Sequence, residues 1–142
     1  MSIMVDTISS ARRSWNMSRI RSKNTKPELV LRSMLQREGF RFRLHRKDLP
    51  GAPDIVLPRY RTVIFVNGCF WHRHAGCRNS TMPSTRQEFW EDKFNKNIER
   101  DAQNRTSLEI AGWIVCVVWE CELHSEPNET VRHLSNILRS TG

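Results

Sequence analysis

Residues 68–77 place two cysteines and two histidines in one short segment, directly after an apolar run. Three of them have the close spacing of ligands in structural zinc sites: Cys69, His74 and Cys77. Thiolates and imidazoles surround zinc tetrahedrally in such sites, and Cys121 is the candidate for the fourth ligand. His72 competes with His74 for the metal, and the residues alone leave that choice open. A strand that ends in metal ligands predicts a rigid functional site.

A cysteine can also be a small core residue, and this alternative suits Cys116, which lies in the middle of an apolar run. It suits Cys69 and Cys77 poorly, because both lie in a polar loop beside histidine and arginine. No apolar run approaches the length of a membrane span, and the N-terminus lacks the apolar core of a signal peptide. We therefore expect a cytoplasmic protein without a membrane partner, whose thiols stay reduced and available to a metal.

The positive charge of the chain is concentrated in its N-terminal part. Residues 1–53 contain 12 Lys and Arg against 4 Asp and Glu, whereas residues 54–142 contain 11 of each, so the first part carries the whole net charge of +8. A solvated basic face is common, but a one-sided excess favours a polyanion such as nucleic acid, because each neutralised phosphate releases counterions. We expect residues 1–24 to form a basic arm that contacts DNA, and residues 25–142 to form one domain.

Local signals predict a mixture of helices and short strands. Thr25, Pro27 and Glu28 have the pattern of a capping box with proline in the first turn, which predicts a helix that ends at Gly39. Apolar periodicity predicts strands at residues 40–44, 54–57, 62–66 and 113–119, helices at residues 85–110 and through residues 131–138, and a polar loop at residues 122–129. The last strand is apolar on both faces, so we expect a central strand, parallel to the neighbour that a helical crossover connects to it. This order predicts an α/β fold with a short mixed central sheet flanked by helices.

Asp54 follows a turn and opens a strand, and the next strand leads to Asn67. Many nucleases hold magnesium at such a place, because a hard cation takes oxygen ligands and keeps waters for chemistry. An aspartate before a strand is also a common turn residue, and Glu28 has an equally good explanation as the partner of Thr25 in the capping box. These residues alone make a metal-dependent nuclease only a candidate.

Long motifs follow one another along most of the chain: Leu49-Pro50-Gly51-x-Pro53-Asp54, Val63-Ile64-Phe65-x-x-Gly68-Cys69-Phe70-Trp71-His72, Thr85-Arg86-x-Glu88-Phe89-Trp90, Asn97-x-Glu99-Arg100-Asp101 and Trp119-Glu120-Cys121. Together they closely resemble the very-short-patch repair (Vsr) DNA mismatch endonucleases. The resemblance implies a restriction-endonuclease-like three-layer fold with a structural zinc site. It also implies a Mg²⁺-dependent enzyme that nicks DNA 5′ to the thymine of T:G mismatches. Such mismatches arise when 5-methylcytosine deaminates, and the nick initiates very short patch repair.

The same resemblance implies roles for individual residues. Asp54 would bind magnesium together with the backbone carbonyl of Val66. His72 would be the catalytic histidine that handles the attacking water, and Glu28 would support the catalytic site. The zinc ligands would be Cys69, His74, Cys77 and Cys121.

The DNA contacts implied by the resemblance are Phe70 and Trp71, which would wedge into the base stack beside the mismatch, and Met17, which would approach from the other groove. The implied partners are duplex DNA with a T:G mismatch, mismatch-repair proteins and a repair polymerase. We expect a monomer, because a single nick needs only one active site. We expect it to act at the bacterial nucleoid. Two alternatives stay open: a less selective nicking nuclease, for instance one that acts against foreign DNA, and a zinc-stabilised DNA-binding module that does not cleave.

Overall fold

The computed structural model describes residues 24–141. Its helices and strands follow in this order: α1 (Lys26–Arg37), β1 (Arg43–Leu44), β2 (Ile55–Leu57), β3 (Thr62–Asn67), α2 (Gln87–Ile110), β4 (Ile114–Trp119), α3 (Glu120–Ser125) and α4 (Pro127–Thr141). A short 3-10 helix, Pro58–Tyr60, joins β2 to β3. None of the helices in this part of the chain has the length and apolar content needed to cross a bilayer. Residues 1–23 of the predicted basic arm lie outside the described residues.

The strands of residues 24–141 form one mixed sheet in the order β1-β2-β3-β4. β2 is antiparallel to both of its neighbours, whereas β3 and β4 run parallel, from Thr62 opposite Ile114 to Asn67 opposite Trp119. The predicted parallel pairing is thus confirmed, and α2 is its crossover. The predicted central position of the last strand was wrong, because β4 lies at the edge of this sheet. Apolar residues on both faces of a strand require cover above and below it, not a neighbouring strand on each side.

Helices cover both faces of the sheet. On one face, side chains of α1, α3 and α4 pack against alternate strand residues; the sheet contributes Ile55, Leu57, Ile64, Cys116 and Val118, and the helices contribute Leu31, Leu35, Leu123, Val131, Leu134 and Leu138. On the other face, Leu108 of α2 and Trp113 pack against Val56, Val63 and Val115. The predicted α/β class, with a short mixed sheet between helices, is confirmed. Cys116 is a core residue, as predicted.

Two predicted segments differ from the structure. The alternating stretch at residues 40–44 forms only the two-residue β1, because Phe40 turns into the core, where it is 5% exposed and packs edge-on against Tyr60. Residues 122–129 are mostly helical and not a polar loop. The Glu122 carboxylate accepts the backbone N–H of Trp119 at 2.9 Å and so caps α3, and Pro127 begins α4 at a position that favours proline.

Candidate functional site

Four side chains with metal-binding atoms converge at one end of the parallel strand pair: Cys69, His74, Cys77 and Cys121. One ligand atom from each lies within 4.8 Å of those of the other three. The register of β3 and β4 explains this convergence, because Asn67 pairs with Trp119 and both strands end at the same edge. Cys69 lies two residues after β3, and Cys121 lies two residues after β4. The structure therefore brings together all four residues that were expected to bind zinc.

Stacking and hydrogen bonds hold this cluster in place. The His74 ring stacks on Trp119, with ring centroids 4.2 Å apart and 8° between the planes. Its Nδ1 lies 3.4 Å from Cys121 Sγ, and the backbone N–H of Cys69 donates to Glu120 Oε1 at 3.1 Å. Burial raises the pKa of the Cys69 thiol, so a cation must displace its proton before the sulfur can act as a thiolate ligand. Three sulfurs and one imidazole nitrogen form a donor set that suits a tetrahedral zinc ion.

A second cluster joins Glu28, His45 and Asp54, whose ligand atoms also lie within 4.8 Å of one another. Glu28 lies in the first turn of α1, His45 directly follows β1, and Asp54 directly precedes β2. The backbone N–H of His45 donates to the Asp54 carbonyl at 3.1 Å, which brings the ends of the two strands together. The resemblance implies that Asp54 and Glu28 belong to one site, and the structure brings them together. The sequence had suggested no role for His45.

Asp54 is a half-buried carboxylate whose pKa lies well above the usual range. The pKa is raised to about 6, first by burial and then by the negative charge of Glu28. The backbone N–H of Val66, which donates to Asp54 Oδ2 at 2.7 Å, acts in the opposite direction, as do the charges of His45 and His72. Two neighbouring carboxylates are stabilised by a divalent cation that takes oxygen ligands. The donor set at Asp54 therefore fits magnesium.

Glu28 is 2% exposed, and its carboxylate belongs to this cluster. Its backbone N–H donates to Thr25 Oγ1 at 3.4 Å, which confirms Thr25 as the cap of α1. The other half of the predicted capping box was wrong, because the Glu28 carboxylate does not accept the Thr25 N–H. It accepts the Asn24 N–H at 3.3 Å and bonds to Arg32 and His45. The long-range bond to His45 thus holds the Glu28 side chain near Asp54.

His72 lies after β3 and bonds through Nδ1 to Asp101 Oδ2 of α2 at 2.6 Å. A carboxylate only accepts, so Nδ1 carries the hydrogen and Nε2 is the nitrogen that can take a proton. The charge of His72 also acts on Asp54, whose pKa it lowers. Sequence reasoning gave no role to Asp101. The sequence signal that could have found it is the spacing of Asn97 and Asp101, because residues four apart lie on one helix face. Asn97 Nδ2 donates to the Trp71 carbonyl at 3.1 Å, so this face contacts the segment that carries His72.

Phe70 and Trp71 lie in an aromatic cluster with two residues of α2. The ring of Phe70 lies 5.1 Å from the rings of both Trp71 and Phe94, and Trp71 lies 6.0 Å from Trp90. Trp71 is only 8% exposed. Insertion of these side chains into DNA would therefore require them to move within, or out of, this packing. Met17, the third expected DNA contact, lies outside the described residues.

Comparison with known proteins matches this chain to one family. The family model for DNA mismatch endonuclease Vsr matches residues 5–78, which is more than half of the chain. The chain is 50% identical over 135 residues to the type II nicking enzyme V.XorIIP of Xanthomonas oryzae pv. oryzae, with 95% of this chain and 98% of that protein covered. It is 43% identical over 135 residues to the DNA mismatch endonuclease Vsr of Escherichia coli, with 95% of this chain and 86% of that protein covered. The chain therefore belongs to the Vsr family of DNA mismatch endonucleases and is a DNA-cleaving hydrolase.

Proposed function

We propose that this protein uses Mg²⁺ to nick duplex DNA 5′ to the thymine of T:G mismatches left by deamination of 5-methylcytosine, and thereby initiates very short patch repair. The observation that carries the proposal is the position of Asp54, which has Glu28 beside it. The charge of His72, which is itself bonded to Asp101, acts on the Asp54 carboxylate. Hydrolysis of a phosphodiester needs a cation for the phosphate charge and a base for the water. This arrangement offers residues for both.

Asp54 and the backbone carbonyl of Val66 would hold the magnesium ion, and Glu28 would support it. When bound, the ion stabilises the negative charge that develops on the scissile phosphate. The Val66 N–H fixes the Asp54 carboxylate through Oδ2. His72 takes the proton of the attacking water on Nε2, while Asp101 orients the ring through Nδ1 and stabilises the imidazolium that results.

Zinc is the ion that we propose for the cluster of three cysteines and His74. Its ligands Cys69 and His74 bracket a segment of four residues that includes Phe70, Trp71 and His72. An ion bound there would fix both ends of the segment that carries the expected wedge and the expected base. The zinc would thus act structurally, because four protein ligands leave no open position for substrate.

Mismatch selection would come from Phe70 and Trp71, with Met17 on the other groove. Opening a base step costs a few kcal/mol and costs least where pairing is already poor, so a wedge favours mismatched DNA. The basic residues of the first 53 positions would bind the phosphates of mismatched and correctly paired DNA alike. Selection and general affinity would therefore depend on different residues.

The wider setting is also a proposal. The helix layers on both sides of a mixed sheet support a restriction-endonuclease-like fold, with residues 1–24 as a DNA-contacting arm and residues 25–142 as one endonuclease domain. A single nick per mismatch is consistent with a monomer. We place the protein at the nucleoid, where mismatch-repair proteins and a repair polymerase would act with it on the nicked strand.

A nicking assay that compares mismatched with correctly paired DNA tests the proposed function. The protein is incubated with otherwise identical duplexes that carry T:G, T:A or C:G at one position, with and without added MgCl₂. We expect one nick, 5′ to the mismatched thymine, only with magnesium. Equal nicking of all three duplexes would replace the proposal with a less selective nicking nuclease. Binding without any nick would replace it with a DNA-binding module.

His72→Ala should slow nicking by about 10²- to 10⁴-fold, the usual cost of a lost general acid or base. Zinc content and affinity for the T:G duplex should not change, because His72 contacts Asp101 and not the cysteine cluster. Single-turnover nicking and elemental analysis of the purified variant provide the two measurements. A variant that lost its zinc while keeping a normal rate per folded molecule would reverse the assignment of His72 and His74.

Phe70→Ala should weaken binding to the T:G duplex by about 1–3 kcal/mol, the cost of a lost aromatic stack on a base, and leave affinity for the T:A duplex unchanged. Phe89→Ala is the matched control, because Phe89 contacts the same cluster through Trp90 but is 45% exposed at the start of α2. Binding titrations on both duplexes, without magnesium, give the comparison. Equal losses on the two duplexes for Phe70→Ala would contradict a wedge.

A further inference from the structure

His45 forms a hydrogen bond to the buried carboxylate of Glu28. The distance from His45 Nε2 to Glu28 Oε2 is 2.7 Å, and the two side chains are 13% and 2% exposed. Because a carboxylate only accepts, Nε2 carries the hydrogen and donates it. A bond to an ionised acceptor is stronger than a neutral one, and low solvent exposure strengthens it further. His45 is thus a well-placed donor to a residue of the candidate magnesium site.

The backbone of His45 is fixed by Asp54. The register of β1 and β2, with Leu44 opposite Ile55, continues by one residue, so the His45 N–H donates to the Asp54 carbonyl at 3.1 Å. The φ angle of His45 is +48°, in the left-handed region that residues other than glycine rarely adopt. Such a conformation persists where the surrounding bonds hold it, and it is common at functional sites. His45 therefore connects the strand end that carries Asp54 to Glu28.

The other donors to the Glu28 carboxylate belong to the helix side of the site. Asn24 lies just before α1, and Arg32 lies one turn after Glu28 in the same helix. These two bonds fix the carboxylate relative to α1 only. His45 bonds to the same carboxylate from the sheet layer, because it directly follows β1. The position of Glu28 relative to Asp54 therefore depends on His45.

We propose that His45 is a positioning residue for strand cleavage, whose Nε2–H holds the Glu28 carboxylate beside Asp54 so that both acids face one divalent cation. The role rests on the proposed function, since it requires that a cation at Asp54 supports nicking. Without the bond, the Glu28 carboxylate is held only by partners in and next to α1, and its distance from Asp54 is no longer fixed. Cation binding then weakens and nicking slows, while contacts to DNA stay as they were.

The test compares His45→Asn with His45→Gln in the full-length protein. Asparagine tolerates a left-handed φ, and its short side chain cannot reach Glu28, so it removes the bond without straining the backbone. Glutamine places an amide nitrogen near the position of Nε2 and restores a donor. His133→Ala is the control, because His133 is an exposed histidine of α4.

For His45→Asn we expect a kcat about 10–100-fold lower, the usual effect of removing a residue that orients a metal ligand, and a higher magnesium concentration for half-maximal nicking. Its Kd for the T:G duplex without magnesium and its unfolding temperature should match the wild type. His45→Gln should recover most of the rate and the wild-type magnesium requirement, and His133→Ala should behave as wild type.

Three results would overturn the role of His45. If His45→Asn kept the wild-type rate and magnesium requirement while Asp54→Asn was inactive, the proposed function would stand and His45 would have no part in it. If the rate fell together with the unfolding temperature, with an unchanged magnesium requirement and no recovery in His45→Gln, His45 would be a structural residue. If the wild type did not nick with magnesium, the proposed function would fail and the role of His45 with it.

Discussion

Asp54→Asn is expected to abolish nicking and also to stabilise the magnesium-free protein at pH 8. Nicking stops because an amide is a poor substitute for a carboxylate as a magnesium ligand. Stability rises because the variant no longer places a negative charge in a half-buried site next to Glu28. The amide oxygen can still accept the Val66 N–H, so the local geometry is kept. Lost activity with increased stability is the pattern expected of a strained functional residue.

The pH dependence of this stabilisation follows from the raised pKa of Asp54. Its pKa is about 6 in the folded protein against an ordinary value of 3.8, so the folded state binds the proton more tightly than the unfolded state. The wild type therefore loses stability as the pH rises from about 4 through 6, and the variant does not. Two pKa units correspond to about 3 kcal/mol, which is the upper limit of the gain above pH 7.

Urea unfolding at pH 5 and pH 8, without magnesium, measures this difference in the free energy of unfolding. Asp48→Asn is the matched control, because Asp48 is an exposed loop acid that pairs with Arg46, and its substitution should leave nicking intact and give no stabilisation. An Asp54→Asn protein that still nicked at the wild-type rate would remove Asp54 from the catalytic site. A variant less stable than the wild type at pH 8 would show that ionised Asp54 is not destabilising there.

Cys77→Ala is expected to lose one bound zinc per chain and most of the stability of the fold. A structural zinc ion contributes its binding free energy to folding, about 10 kcal/mol or more in zinc-finger peptides at neutral pH. Cys77 is only partly buried, so the loss of packing by itself should be small. A large loss of stability in Cys77→Ala would therefore come from the loss of the metal.

Cys116→Ala provides the comparison for this prediction. Cys116 is buried in the core on β4 and lies outside the cluster of metal-binding side chains. The variant should keep its zinc and lose about 1 kcal/mol of stability, as expected for a small core truncation. Elemental analysis and thermal unfolding of both variants give the answer. Stoichiometric zinc in folded Cys77→Ala would remove Cys77 from the metal site.

The features that could be predicted from the sequence depend on local patterns or on short spacings. Thr25 caps α1 as expected, and three of the four clustered metal-binding residues lie within nine positions of one another. The parallel pairing of β3 with β4 followed from the long helix between them. The position of Cys121 in the cluster followed from the resemblance and from its place just after an apolar strand.

The features that were missed depend on pairings between distant segments. His45 joins the site because β1 pairs with β2 in one particular register, and a two-residue strand carries no pattern that fixes a register. The capping-box pattern at Glu28 was ambiguous, since its carboxylate could serve the helix or a distant partner, and burial beside His45 decides the outcome. The apolar pattern of β4 indicates that both of its faces are buried. Burial of both faces does not determine whether a strand is central or at the edge of the sheet, and β4 is at the edge.

One segment of α2 holds both Trp71 and His72. Asn97 binds the backbone of Trp71, and Asp101, four residues later, binds the ring of His72. Four residues of an α-helix rise about 6 Å along its axis, so the helix fixes the separation of these two contacts. If Trp71 reads the mismatch and His72 is the base, as proposed, this part of α2 would help to set the offset between the mismatch and the cut. A change that kinks α2 between Asn97 and Asp101 would then move the cut along the strand as well as slow it.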